Sequence, residues 1–180
     1  MRLKSLAWFC LLFAIPAYAG ADCGGCTSAE CYLERGGSYV AASRYLEAKP
    51  CLKKACSLND HFGCSGLGML YSNGLGVKQD NSKAATYYKK ACSLNVGLGC
   101  TGLGLLYYHG LSVRQDYSKA KTYFVKACNL NHGGGCNSLG FLYDNGQGVR
   151  QNKTKAKEYY GKACDLGDQD GCGNYRILNE

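Results

Sequence analysis

Cysteines recur along this chain with a fixed period of 36 residues. One series is Cys56, Cys92, Cys128 and Cys164, and a second follows eight positions later as Cys64, Cys100, Cys136 and Cys172. Leu67, Tyr71 and Gly74 have equivalents at the same period. A single fixed period is the signature of a repeat architecture, in which each unit is one supersecondary motif and stacked units share a continuous core. The period therefore predicts a repeat protein before any residue is interpreted by itself.

The first half of each unit has the pattern of an amphipathic helix. Over residues 62–72, Leu67, Leu70 and Tyr71 follow an i, i+3, i+4 spacing, which places them on one helix face. Gly74 comes next, and glycine readily adopts the positive φ with which many helices end. The sequence therefore predicts a helix that stops at this glycine in every unit.

The second half of each unit predicts another helix, over about Asn81–Leu94. Asp80 precedes it and is a good N-cap residue. Tyr87 and Tyr88, among small residues, form the apolar face, and we expect this tyrosine-rich stripe to be core rather than a ligand site. The glycine at Gly68 and its equivalents weakens the first helix, so we expect a neighbouring helix backbone to approach closely there.

One helix pair cannot bury its apolar face alone, whereas stacked pairs can. The sequence therefore predicts an all-α fold, an α/α solenoid of the tetratricopeptide type that winds as a right-handed superhelix. Residues 20–60 form a degenerate first unit, and 168–180 form a capping helix with a polar outer face. The three full repeats between them are 61–96, 97–132 and 133–167.

The N-terminus has the three parts of a secretory signal peptide, which we assign to residues 1–19. Arg2 and Lys4 precede a nearly unbroken apolar run from Leu6 to Ile15, and Ala17-Tyr18-Ala19 supplies small residues at the cleavage site. The alternative is a retained membrane anchor, for which the run is short. We therefore expect a secreted or periplasmic protein with no membrane span after cleavage.

Twelve of the thirteen cysteines follow the predicted cleavage site, an even set in a chain bound for export. Disulfides persist in oxidising compartments, so we expect all twelve to pair. The eight-residue step joins the last turn of one second helix to the first turn of the next unit. It predicts Cys56–Cys64, Cys92–Cys100, Cys128–Cys136 and Cys164–Cys172. Structural zinc sites use cysteines two to four residues apart, so this spacing argues against a metal.

The N-terminal cysteines are irregular, and their connectivity stays open among three possibilities. Cys23–Cys31 repeats the eight-residue step, which favours that bridge together with Cys26–Cys51. Cys23-Gly24-Gly25-Cys26 also has the form of a redox motif, although no βαβ pattern surrounds it. Disulfide exchange is therefore a minor alternative function. Pro50 is expected to shorten or kink the second helix of this unit.

The formal net charge is +8, and it falls to +6 without Arg2 and Lys4. This excess favours acidic partners or an anionic cell surface. The basic residues recur once or twice per repeat without forming a dense cluster, as on a solvated helix face. We therefore expect no nucleic-acid partner.

The unit resembles a Sel1-like repeat, and the added cysteine pair resembles the helicobacter cysteine-rich proteins, a secreted branch of that family. The matching residues are Ala91-Cys92-Ser93-Leu94-Asn95, Gly99-Cys100, Leu103-Gly104-Leu105-Leu106-Tyr107, Ala120, Tyr123 and Lys126-Ala127-Cys128. The resemblance implies an α/α solenoid with disulfides inside the cysteine steps. It also implies binding and slow hydrolysis of penicillin-like β-lactams, a role as a secreted host-interaction factor, or an adaptor role.

The residues themselves offer little for a β-lactamase. We identify none of the Ser-x-x-Lys, Ser-Asp-Asn and Lys-Thr-Gly motifs of the serine enzymes, and Thr154-Lys155-Ala156-Lys157 is the nearest imitation of the first. His61, His109 and His132 occupy no common repeat position, so a metal-binding cluster is not expected. We therefore assign no catalytic residue, no metal and no cofactor.

The alternative function is a non-enzymatic scaffold. Solenoids present a concave groove lined by their first helices, and positions that vary between repeats determine what the groove binds. We expect the partner to be a peptide, a protein or a cell-wall fragment, with β-lactam compounds as further candidates. The candidate groove residues are Ser65, Ser72, Thr101, Tyr108, Asn137 and Asp144.

Overall fold

The computed structural model describes residues 23–180, and the predicted signal peptide lies outside the described residues. Within residues 23–180 the chain is all α, which confirms the predicted fold class. The described residues form nine helices in succession: α1 (Ala29–Ala41), α2 (Tyr45–Ser57), α3 (His61–Asn73), α4 (Asn81–Ser93), α5 (Gly97–His109), α6 (Tyr117–Asn129), α7 (Gly133–Asn145), α8 (Lys153–Asp165) and α9 (Gln169–Ile177).

Local signals begin and end the helices of each repeat. The Asp80 carboxylate accepts a hydrogen bond of 3.0 Å from the Lys83 N–H at the start of α4. Asp116 and Asn152 cap α6 and α8 in the same way. At the other end of α3, Gly74 adopts a φ of 68°, which closes the helix in the left-handed conformation. Because these devices repeat, each hairpin has nearly the same boundaries.

An aromatic ring, not a helix backbone, lies against the glycine inside each first helix. A Cβ atom at Gly68 would meet the Tyr88 ring at 2.5 Å, and Phe124 and Tyr160 stand at the equivalent place against their own glycines. The expected close backbone approach occurs instead at Gly99, where a Cβ atom would meet the Ala91 Cβ at 2.5 Å and the Cys92 nitrogen at 2.9 Å. The glycine at Gly68 therefore makes room for the core aromatic of its own hairpin.

The helices form two layers. Successive first helices contact one another, α3 with α5, α5 with α7 and α7 with α9, whereas successive second helices within residues 23–180 make no comparable contact. The first helices therefore form the inner, concave layer, and α4, α6 and α8 form the outer layer. None of the described helices combines the length and hydrophobicity that a membrane crossing requires.

Disulfides bridge the corners between units. They join Cys56–Cys64, Cys92–Cys100, Cys128–Cys136 and Cys164–Cys172, the pairs that the eight-residue spacing predicts. The Cα atoms of each pair are 4.4 to 4.6 Å apart, because the last turn of one helix faces the first turn of the next. Two lysines reinforce the corners: Lys90 Nζ donates to the Cys56 carbonyl at 2.7 Å, and Lys126 Nζ donates to the Cys92 carbonyl at 2.8 Å.

The N-terminal bridges differ from the favoured Cys23–Cys31 and Cys26–Cys51 pairing. The structure joins Cys23 to Cys51 and Cys26 to Cys31. The eight-residue step works only where two helices flank a corner, and Cys23 precedes α1 and belongs to no helix. Cys23 and Cys26 also lie in separate bridges, so the redox-motif interpretation loses its dithiol.

Pro50 does not shorten its helix. With 13 residues, α2 is as long as each helix of the three full repeats. Proline has no N–H, so the Leu46 carbonyl, four residues before Pro50, lacks its helical hydrogen bond. Leu46 is 69% exposed, so water can bond to this carbonyl instead.

Candidate functional site

A pocket of about 190 Å³ opens on the concave layer between α5, α7 and α9. Its wall is apolar at Leu105 and Phe141, which are 40% and 43% exposed. The lining residues are Leu105, Tyr108, Phe124, Asn137, Ser138, Phe141 and Asn174. This volume suits one large side chain or a comparable small group, so we regard this concave pocket as the candidate functional site.

Polar groups of the concave pocket come from three different elements. Asn174 Nδ2 donates to Asn137 Oδ1 at 2.9 Å. Each amide therefore keeps further hydrogen-bonding capacity, a donor group on Asn137 and an acceptor on Asn174. The Tyr108 hydroxyl donates to Gln147 Oε1 at 2.9 Å, and its ring meets Phe141 edge-on at a centroid distance of 6.1 Å. The pocket thus combines an apolar wall with a donor and an acceptor that suit a peptide unit.

An apolar row crosses the concave layer at one repeat position. The row, one residue from each of α3, α5, α7 and α9, is Met69, Leu105, Phe141 and Ile177. Ile177 is 68% exposed, and Leu105 and Phe141 are also exposed. Helices α3, α5 and α7 contain no lysine or arginine, whereas all lysines of residues 23–180 except Lys78 lie on the second helices. Lysine is therefore concentrated on the outer layer, and α3, α5 and α7 together carry one charged carboxylate, that of Asp144.

The structure brings Tyr108 and Asn137 of the predicted groove residues together in the concave pocket. Ser65 and Thr101 are 2% and 6% exposed, so their assignment to an open groove is wrong. Both residues lie one turn into their helices, at positions buried by neighbouring helices. Ser65 Oγ donates to the Phe62 carbonyl at 3.0 Å.

Ser72 and Asp144 lie at the equivalents of Tyr108 but line no part of the concave pocket. Ser72 Oγ is 3.0 Å from the Tyr88 hydroxyl, and Asp144 forms an ion pair with Lys153. Burial, and secondarily the Asp144 carboxylate, raises the pKa of Tyr160 to about 12. In the middle repeat, Phe124 holds the position of Tyr88 and Tyr160 and has no hydroxyl group, and the bulky Tyr108 replaces Ser72 and Asp144.

Leu105, Ser138, Phe141 and Asn174 are the pocket residues that sequence reasoning missed. The exposed row could have been found, because a helical position that stays apolar outside the core stripe stands out in a repeat alignment. Asn174 has no such signal, because its role depends on where α9 packs against α7.

His132 caps α7 and joins it to α5. Its Nδ1 accepts a hydrogen bond from the Gly135 N–H at 3.3 Å and lies 2.9 Å from Thr101 Oγ1. The Gly97 carbonyl lies 3.0 Å from the same Thr101 hydroxyl, so the single hydroxyl proton is shared between these two acceptors. Burial lowers the pKa of His132, and the nearby Asp168 carboxylate partly opposes this shift. Because Nδ1 accepts the Gly135 N–H, the His132 imidazole acts as the N-cap of α7.

We expect acid to weaken the protein through His132. A lowered folded-state pKa means that the unfolded chain binds more protons, so stability falls as pH decreases from the ordinary histidine pKa of 6.5 through the folded-state pKa. His132→Asn keeps a cap without this titration and should flatten that part of the profile. His132→Ala should cost about 1 kcal/mol at pH 8. Urea unfolding at several pH values measures both, and equal pH slopes in His132→Asn and the unmodified protein would contradict the assignment.

One Ser-x-x-Lys spacing does occur, at Ser118 and Lys121 in the first turn of α6, and sequence reasoning missed it. Ser118 is exposed, and within the described chain no hydrogen bond joins its hydroxyl to Lys121. Residues 23–180 also contain no cluster of three metal-ligating side chains. The arrangement resembles the opening turn that Thr154 and Lys157 form one repeat later.

Two-layered helical hairpins with a disulfide at each corner define a disulfide-linked α/α solenoid. The chain belongs to the Sel1 repeat family: the Sel1 repeat model matches residues 61–96, 97–132 and 134–168. A tetratricopeptide repeat model matches residues 29–62, which contain α1 and α2.

Solved structures agree with this family. Helicobacter pylori cysteine-rich protein B is 38% identical, with a TM-score of 0.55, over 83% of this chain and 98% of its own. A Sel1 repeat protein from Oxalobacter formigenes is 29% identical with a TM-score of 0.74, over 81% of this chain. A protective antigen of uropathogenic Escherichia coli is 29% identical with a TM-score of 0.72, also over 81%. This chain spans only 60% and 32% of the last two proteins. Among curated proteins, none matches the chain.

Proposed function

We propose that this protein is a non-enzymatic scaffold that binds an extended segment of a partner protein or peptide along its concave layer. The concave pocket carries the proposal, because it offers an apolar wall for one side chain beside free amide groups for the flanking backbone. Sel1 and tetratricopeptide repeats commonly mediate protein interactions, which agrees with this use. The absence of lysine and arginine from α3, α5 and α7 favours an uncharged, apolar anchor in the bound segment.

We place this function outside the cytoplasm, in the periplasm or beyond the cell. Twelve cysteines in six bridges within residues 23–180 support an oxidising compartment. The predicted signal peptide agrees with export. The E. coli relative is a protective antigen, which is consistent with a role in contact with a host.

Phe141→Ser should weaken peptide binding about tenfold. Burying about 55 Å² of the exposed ring against an anchor is worth about 1.4 kcal/mol, and that free energy corresponds to a factor of about ten in affinity. The probe is an array of decapeptides with leucine, phenylalanine, serine or lysine at one central position. We expect the unmodified protein to retain the leucine and phenylalanine peptides, and fluorescence polarisation of the best peptide gives the affinities.

Phe62→Ser is the matched control, because Phe62 is an exposed aromatic of α3 that does not line the concave pocket. It should leave the affinity unchanged. Equal losses in the two variants, or no preference for apolar central residues, would rule out the concave pocket as the anchor site.

β-Lactam binding and slow hydrolysis, which the family resemblance implies, are a second candidate. Ser118 and Lys121 favour it, because a lysine one helical turn away is the usual neighbour of an acylated serine. Nitrocefin turnover by the oxidised protein decides between the candidates. Turnover that is lost in Ser118→Ala and kept in Ser82→Ala supports the hydrolase, and absence of turnover in the unmodified protein supports the scaffold. Ser82 holds the same repeat position but has Ala85 in place of the lysine.

A further inference from the structure

A cleft on the loop edge of the third repeat is lined by three cations from three elements. Lys121 comes from α6, Arg150 from the loop before α8, and Lys155 from the first turn of α8. The cleft has a volume of about 590 Å³, within the range of small-molecule sites. The other lining residues are Tyr143, Gly148, Val149, Gln151 and Asn152. No carboxylate lines this basic cleft.

The second repeat contains the equivalent cleft, and its charge is different. That cleft has a volume of about 620 Å³ and contains Arg114, Lys119 and Asp116. The Asp116 carboxylate lies 3.7 Å from Lys119 Nζ and neutralises part of its charge. Two cations and one carboxylate give this control cleft a formal charge of +1, whereas three cations give the basic cleft +3.

Two substitutions along the repeat produce the difference, and each raises the net charge of the cleft by one. Asn152 replaces Asp116 as the helix cap and keeps the same bond, accepting from the Lys155 N–H at 2.9 Å. Lys121 stands where the preceding repeat has Ala85. The nearby carboxylate of Asp144 already pairs with Lys153 and does not line the cleft. Within residues 23–180, Lys121, Arg150 and Lys155 form no salt bridge.

The ammonium of Lys155 is held in place by an aromatic ring. Its Nζ lies 5.4 Å from the centroid of the Tyr143 ring, which stacks on Tyr159 at 5.6 Å. Lys119 lies over Tyr107 at 5.3 Å in the control cleft, so this contact does not depend on the added charge. The basic cleft therefore presents one oriented cation and two others at its sides.

We propose that the basic cleft binds a phosphate-bearing anion. A charge of +3 exceeds what one carboxylate can balance, and a guanidinium can grip two phosphate oxygens at once. The backbone N–H groups at the start of α8 add favourable dipoles on the same side. The ligand is either a soluble phosphate ester or the phosphate headgroup of a lipid, since both present anionic phosphate oxygens. This site is separate from the concave pocket and does not depend on the proposed function.

Pyrophosphate titration followed by ¹⁵N NMR tests the proposal. We expect saturable shifts of the backbone amides of residues 150–155, and much smaller shifts at 114–119. The variant Lys121→Ala with Asn152→Asp, which gives the basic cleft the residues of the control cleft, should lose at least tenfold in affinity. The reciprocal variant, Ala85→Lys with Asp116→Asn, should gain saturable binding at 114–119. Both variants keep a side-chain cap, and circular dichroism verifies that they fold.

Vesicle sedimentation identifies the source of the phosphate. Binding to phosphatidylglycerol vesicles but not to phosphatidylcholine vesicles, with loss in the Lys121→Ala, Asn152→Asp variant, supports a lipid headgroup. Saturable pyrophosphate binding without vesicle binding supports a soluble ester. Equal shifts at the two clefts, or affinity that stays within twofold in the variant, would overturn the proposal, because binding would then follow surface charge in general.

Discussion

Reduction of the disulfides should unfold this protein at neutral pH without denaturant. Each repeat bridge closes a loop of about nine residues, and the chain-entropy model assigns about 2.5 kcal/mol to a bridge of that size. The four repeat bridges together contribute about 10 kcal/mol, as much as the whole stability of an ordinary domain. Helices of 13 residues are marginal in water by themselves, so little structure should survive. Far-ultraviolet circular dichroism at 222 nm, with and without dithiothreitol, measures the loss.

Two controls separate the bridges from the reductant. Dithiothreitol must leave an unrelated cysteine-free helical protein unchanged. Removing only the terminal bridge, with Cys164→Ser and Cys172→Ser, should cost about 2.5 kcal/mol in urea and leave most of the helix signal. If the fully reduced chain keeps its helical signal and its urea midpoint, the helix packing alone stabilises the solenoid and our account of the bridges is wrong.

Phe124→Ala should cost about 3–5 kcal/mol, the usual range for a buried phenylalanine. Phe124 is 1% exposed, and its ring lies against Gly104, where a Cβ atom would meet it at 2.5 Å. Alanine would leave a void that the glycine cannot fill, because glycine has no side chain to repack. The ring also forms the floor of the concave pocket. Urea unfolding should therefore show a large loss, and the best peptide should bind more weakly.

Val125→Ala is the neighbouring control, since Val125 lies on the same helix and is only half-buried. It should cost about 1 kcal/mol or less. Similar losses of unfolding free energy in the two variants would mean that α6 is sensitive to any truncation. The packing of Phe124 on Gly104 would then contribute no more than an ordinary contact.

The helices of the repeats could be predicted closely because their signals are local. The Asp80 cap and the Gly74 stop lie next to the residues that they affect, so α3 and α4 agree with the prediction to within a residue or two. The glycine at Gly68 was interpreted wrongly because the aromatic ring that covers it comes from a residue twenty positions later. A sequence pattern shows that space is needed but not which group fills it.

The concave pocket was only half predictable for the same reason. Variation between repeats pointed to Tyr108 and Asn137, and both line it. The same criterion also selected Ser65 and Thr101, which differ between repeats but pack inside the layer. The N-terminal bridges failed because the eight-residue rule describes a corner between two helices, and Cys23 lies before the first of them.

The position of the repeat bridges has a consequence for how such solenoids change length in evolution. Each bridge joins the end of one unit to the start of the next, so its two sulfurs are always eight positions apart in the chain. Duplicating or deleting any 36-residue stretch of the array preserves that step, wherever the breakpoints fall. A longer or shorter descendant would then never carry an orphaned thiol, and unequal recombination could lengthen the solenoid without a new oxidative-folding problem.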